Sequence, residues 1–385
     1  MNRSGKLAIL SISLLTIMAS AAISPALSSI QDHFYDIDEL YIKMIITLPA
    51  LFTIPVTLLT GKLVFIFKKK TLLITGAILY VIGGVSGGFA NSIEVLLVFR
   101  AVMGVGVGLL LPLARGLIAD FFSGEERTEM MGYASSFNNL GGIISLIVAG
   151  FLSVYSWRYP FFIYLLGFYV IYMIIVHMPD QEIKEKPKTK VEVSKNVWLL
   201  GFGMFYMMQM FYAIPAVLSI YIDEVELGTT FTTGILIAIV TLGSLIFGLI
   251  FQKVKYRLKG LTPIVGLSLV TFGMYITAVI PNIYAIGFAM LIIGFGLGIV
   301  SPMLYLLSTT ESKAKDATFA LAIMSSFSFF GQFSSPLVLE FLQNILNQNE
   351  PNSAFIISTY IGVIGIIGVL VNKKARIYKE NNLNH

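Results

Sequence analysis

The chain contains no cysteine, so disulfides, thiolate metal sites and cysteine nucleophiles are excluded. Histidine is almost as scarce, and His33, His177 and His385 lie far apart, which argues against a histidine metal centre. Charged residues make up only 12% of the chain, against about a quarter in a soluble domain. No phosphate loop, nucleophile elbow or metal-ligand spacing appears, so neither an enzyme, a metal nor a cofactor is expected. The alternating glycines at Gly104–Gly108 have no βαβ unit around them and are no dinucleotide site. A membrane sensor or scaffold would want a sizeable soluble domain, and the sequence offers none.

What the sequence does have is apolar length. Hydrophobic residues are 56% of the 385, enough for about twelve spans of ~20 residues with short loops. The expected fold is an all-α polytopic membrane protein. Spans are read at 7–30, 41–60, 71–90, 93–119, 131–154, 160–177, 197–221, 232–251, 261–280, 283–307, 316–341 and 354–371. The first resembles a secretory signal, with Arg3 and Lys6 before an apolar run, but the run stays apolar to Ile30 and is kept as a span. One set of alternate loops holds nearly all Lys and Arg outside the spans, including Lys68–Lys70, Lys184–Lys195 and Lys253–Lys259. The other set holds only Lys43 and Arg158. That asymmetry predicts both termini in the cytoplasm. It also accounts for the net charge of +5 without nucleic acid.

The stretch from Leu96 to Asp120 is membrane-length, yet it carries Arg100 and Arg115. On a helix, Arg100, Gly104, Gly108, Leu111 and Arg115 share one face. Such a face should pack against other helices or line a watery cavity. The chain also repeats itself at an offset of 190 residues. Pro25 meets Pro215, Gly104, Gly106, Gly108 and Pro112 meet Gly294, Gly296, Gly298 and Pro302, and Gly141 meets Gly331. Parallel halves imply an axis along the membrane normal and a central site. The boundaries are read as a bundle over 1–178, a Lys/Glu-rich linker over 179–196, a second bundle over 197–372 and a polar tail over 373–385. Arg100 falls opposite Met290 and Arg115 opposite Tyr305, so the polar chemistry sits mainly in the first half.

These landmarks resemble the major facilitator superfamily over nearly the whole chain. In the first basic hairpin, GKLVFIFKKK, Gly61, Leu63, Lys69 and Lys70 fit the family's Gly-x-Leu-Ala-Asp-Arg-x-Gly-Arg-Arg pattern, while Phe65 and Lys68 replace its acid and second glycine. Arg100 with Gly104 and Gly106 matches its Arg-x-x-x-Gly-x-Gly core. Gly132, Gly141 and Gly150 match part of the fifth-span motif of twelve-span drug/proton antiporters, with Ser145, Leu146 and Ala149 departing from it. The resemblance implies two six-helix bundles related by a pseudo-two-fold axis. It implies a multi-pass carrier of the cell membrane, expected as a monomer among lipids, that exports small molecules, with protons as the coupling ion.

Candidate pathway residues are Ser20 and Ser24 from a first-span stripe (Ser13, Thr16, Ser20, Ser24, Ser28), Arg100, Asn138, Asn139, Gln209, Tyr212, Tyr305 and Gln332. One of the two asparagines should face the cavity. The Met- and aromatic-rich seventh span suits a polyspecific pocket. No span has Asp or Glu near its middle, so coupling is assigned to Arg100 with Glu94 or Asp32, or the substrate is an anion met by Arg100. Gly61, Lys69, Lys70, Gly104, Gly108, Pro112, Arg115, Asp120 and Gly141 are expected in gating or packing, with Arg115 either snorkelling or paired with Asp120.

Overall fold

In hydrocarbon a backbone must satisfy its own N–H and C=O groups, so apolar runs of this length become helices. A computed structural model describes residues 3–179, 194–311, 317–348 and 350–383. Most of the linker expected over 179–196, and His385, lie outside them. Among the described residues eleven segments are long and apolar enough to cross a membrane, and one, Thr230–Val279, contains two helices. The chain therefore builds twelve spans: α1 (Arg3–His33), α2 (Glu39–Leu63), α3 (Lys69–Phe89), α4 (Ile93–Phe121), α5 (Gly124–Ser153), α6 (Tyr159–His177), α7 (Lys195–Glu224), α8 (Thr230–Leu258), α9 (Thr262–Val279), α10 (Ile283–Thr310), α11 (Ala317–Leu346) and α12 (Ser353–Leu383).

Helix and hydrocarbon span do not coincide. The helix of α5 starts at Gly124, seven residues before the apolar run, because Glu125 and Glu126 in its first turn complement the helix dipole. Prolines set the breaks. The helix of α1 stops at Ala21 and resumes after a 3-10 turn at Ser24–Ala26, and α7 breaks at Tyr212. Pro25 and Pro215 lack the N–H that would continue each helix.

The glycines of α4 serve two neighbours. A methyl group on Gly104 would lie 2.3 Å from the Pro49 carbonyl oxygen of α2, and one on Gly106 would lie 2.6 Å from the Gly76 oxygen of α3. In the second half Gly294 meets Val240 O at 2.3 Å and Gly296 meets Gly266 O at 2.5 Å in the same sense. The face of Arg100, Gly104 and Gly108 is thus a packing face against α2. Gly141 of α5 packs on Leu14 of α1 in the same way.

The end of the bundle that carries the N-terminus is held by ion pairs. Lys6 meets Glu126 at 2.6 Å, Lys69 pairs with Asp120, and Lys70 donates to Met178 O at 2.9 Å. The last two tie α3 to α4 and α6 inside the first six helices. Asp120 is five residues from Arg115, off its helical face, and takes Lys69 as an ion partner instead. Gly61 has open space where a side chain would go.

Candidate functional site

The two halves meet along α1, α2 and α5 on one side and α7, α8 and α11 on the other, and the far end, opposite the N-terminus, is shut. Ser24 Oγ donates to Pro215 O at 2.6 Å, and Ser219 Oγ donates to Pro25 O at 2.7 Å. Each half thereby binds the carbonyl of the other half's proline. Gly150 and Gly234 let α5 and α8 touch, with Thr230 Oγ1 donating to Gly150 O at 3.2 Å. Gln332 of α11 reaches Ile46 O of α2 at 3.5 Å.

Toward the N-terminal end the halves separate around a cavity of two adjoining chambers, of about 210 and 370 Å³. Thr16, Leu111, Arg115, Asn138 and Tyr305 border both. Ser20, Tyr212, Ser325 and Gln332 line the deeper one together with Ile17, Val107 and Phe329. Arg115, Met131 and Ser135 at its mouth are exposed. The wall mixes apolar side chains with hydroxyls, amides and one guanidinium, and the deeper chamber is the more polar of the two.

Of the expected pathway residues, Ser20, Asn138, Tyr212, Tyr305 and Gln332 come together here. Asn138 is held in place by α1, its Nδ2 donating to Ser13 O at 2.9 Å and Thr16 Oγ1 at 2.7 Å. Ser20 of the first half and Tyr212 of the second line the same chamber. Four others are elsewhere. Asn139 donates back to Ser135 O of its own helix. Ser24 is in the far-end seal. Gln209 is buried between α7 and α11, donating to Ser334 Oγ at 2.5 Å.

Arg100 is the fourth. It is 0% exposed. Its Nε donates to Ile45 O at 2.6 Å, Nη2 to Ala19 O at 2.5 Å and Nη1 to Tyr164 OH at 3.0 Å. Ala19 lies in the last turn before the α1 break, where carbonyls lose their helical donors. Among the described residues no carboxylate pairs with it. Arg100 therefore clamps α1, α2 and α6 onto α4 and does not face the cavity, so it is not placed to meet an anion there.

The acids collect at the far end. Glu94 is exposed in the first turn of α4, beside its N-cap Ser92. Asp32 is exposed near Asp223 of α7. Between the halves lies a vestibule of about 370 Å³ lined by Asp38, Glu39, Lys43, Glu224 and Glu340 among others. Lys43 is only 5% exposed and pairs with Glu39 at 2.9 Å. Its burial was not legible in sequence, though the four-residue spacing to Glu39 marks the pair. The apolar lining residues were equally hidden, since Val107 and Phe329 read like any lipid-facing residue.

Twelve spans around a central cavity walled by both halves define a membrane carrier rather than an enzyme. The family model of the Major Facilitator Superfamily matches residues 9–336, and the chain belongs to that family of secondary transporters. It is 24% identical over 339 residues to the quinolone resistance protein NorA of Staphylococcus aureus (strain COL), covering 82% of this chain and 83% of that one. Crystal structures of the nucleoside transporter NupG (TM-score 0.78, 11% identity, 95% of this chain and 99% of that one) and of a D-xylose-proton symporter (TM-score 0.72, 16% identity, 95% and 96%) share the fold.

Proposed function

We propose that this transporter exports amphipathic organic molecules from the cell in exchange for protons, working as a monomer in the cell membrane. The observation that carries the reading is the cavity itself, lined by apolar side chains interleaved with hydroxyls, amides and Arg115, walled by both halves and open at one end only. The basic loops cluster at that end, which supports a cytoplasmic position for it and for both termini. The similarity to NorA supports export of drug-like compounds. Alternating access then rocks a bundle of 1–178 against one of 197–372, joined by the 179–196 linker and followed by the tail at 373–385, until the far-end seal opens and the N-terminal end closes.

Coupling is assigned to the far-end acids. Asp32 and Glu94 stand at that surface, and Glu224 and Glu340 face the buried Lys43 between the halves. Opening the seal hydrates this cluster and changes its proton affinity, which links protonation to the state of the gate. The part of Arg100 is mechanical, because moving α1 or α2 against α4 must break its bonds to Ala19 or Ile45.

The test is purified protein in liposomes with an imposed pH gradient and a lipophilic fluorescent dye inside or outside. Gradient-dependent dye movement that dissipates with a protonophore is expected. Movement of no drug or dye under any gradient overturns the export reading, and gradient-independent movement overturns proton coupling.

A further inference from the structure

Arg100 and Arg115 share a helix face yet live in opposite surroundings. The first is enclosed and bonded to two carbonyls and a hydroxyl. The second is exposed to the cavity, and among the described residues no carboxylate or carbonyl partners it. Among the described residues lining the two chambers, Arg115 is the only charged one. The described lining therefore carries charge of a single sign. A guanidinium cannot shed its proton to relieve this, and a cleft lined by charge of one sign concentrates ions of the other. At roughly 7 Å and an effective dielectric of about 20, a monocation would be disfavoured on the order of 10- to 100-fold. An anion gains by a similar factor.

Resting on the export reading, we propose that the substrate carries an organic anion, a carboxylate on an amphipathic body, and that Arg115 binds it. Arginine's planar fork suits a carboxylate in a way that a lysine does not. Tyr305 borders both chambers too, from the second half. It is the residue that the internal repeat sets opposite Arg115. A carboxylate between them engages both bundles at once, while Phe329, Val107 and Ile17 in the deeper chamber take the apolar body.

The experiment uses the purified full-length protein and a matched pair of fluorescent probes, an arylalkyl carboxylate and its methyl ester. Wild type is expected to bind the acid about tenfold or more tightly than the ester. Arg115→Gln should abolish that preference while leaving ester affinity intact, which also reports that the site is folded. Arg115→Lys should keep part of it, and Arg115→Glu should favour a cationic amine analogue. Equal binding of acid and ester by wild type, or a preference that survives Arg115→Gln, overturns the proposal. So does competition by phosphatidylglycerol that needs Arg115, since the anion is then a lipid headgroup. In liposomes, transport of the ester without preference for the acid sinks this inference alone, whereas transport of neither probe nor dye sinks the export reading.

Discussion

Arg100 donates its Nε–H, at 2.6 Å, to the carbonyl of Ile45, the one in α2 that Pro49, four residues on, leaves without a helical donor. The second half lacks both members of the arrangement. Val240 stands against Gly294 where Pro49 stands against Gly104, and the fully buried Met290 replaces the arginine. A proline that frees a carbonyl and an arginine that takes it form one unit.

The pairing predicts non-additivity. Arg100→Met alone strands buried acceptors at about 1–3 kcal/mol each. Adding Pro49→Val restores an N–H for Ile45 and copies the second half, so the double variant should be more stable than Arg100→Met. Unfolding in detergent, followed by tryptophan fluorescence, measures it. A double variant as weak as the sum of its parts would falsify the coupling.

Glycine positions should divide by their neighbours. Gly104→Ala and Gly294→Ala place a methyl 2.3 Å from a backbone oxygen and are expected to cost about 1–3 kcal/mol through helix separation. Gly116→Ala meets open space within its helix and should be neutral or stabilising by about 0.4–1 kcal/mol. Thermal midpoints of the three variants separate the two classes, and equal losses would contradict the packing assignment.

The far-end seal gives a conformational test. Gly150→Leu or Gly234→Leu forces apart the α5–α8 contact, where even a methyl would lie 2.8 or 2.5 Å from backbone oxygen. The populations should shift toward a state open at the far end. The chain has no cysteine, so a cysteine pair introduced at the exposed Tyr35 and Glu226 takes two spin labels without background. Longer label distances in the leucine variants are expected, and unchanged distances would show that this contact does not hold the seal.

Ion pairs should be graded by burial. The Lys69–Asp120 side chains are 13% and 16% exposed, those of Lys6 and Glu126 36% and 50%. Asp120→Asn is expected to lower stability by about 1–3 kcal/mol, since it leaves a half-buried lysine without its charge partner. Lys6→Gln should change it less than Asp120→Asn does, and its effect should shrink with added salt. Chemical unfolding at low and high ionic strength checks the ranking.

Periodic and compositional signals carried well from sequence to structure. The positions of the spans and the glycine framework of α4 and α10 were legible, because helix period and absent side chains are local properties, whereas the first and seventh spans read as continuous and their breaks near Pro25 and Pro215 emerged only in the structure. Helix ends such as Gly124 were not, since hydropathy measures hydrocarbon thickness rather than helix length. Among candidate residues the outcome turned on rotation about helix axes. Asn138 and Asn139 are chemically identical neighbours, yet one lines the cavity and the other bonds its own helix. Gln209 and Tyr212 lie three residues apart, and only the tyrosine reaches the opening.

The sequence by itself determined a helical membrane protein of two similar halves, since the bilayer permits apolar runs of this length little other structure and a repeat in sequence is a repeat in fold. Only the tertiary structure decided what its charges do. A buried charge takes its meaning from the atoms around it, and those come from distant parts of the chain. A broken helix and a proline-bearing one offer Arg100 the carbonyls of Ala19 and Ile45, while the gap between the halves leaves Arg115, fifteen residues along the same face, open to whatever enters.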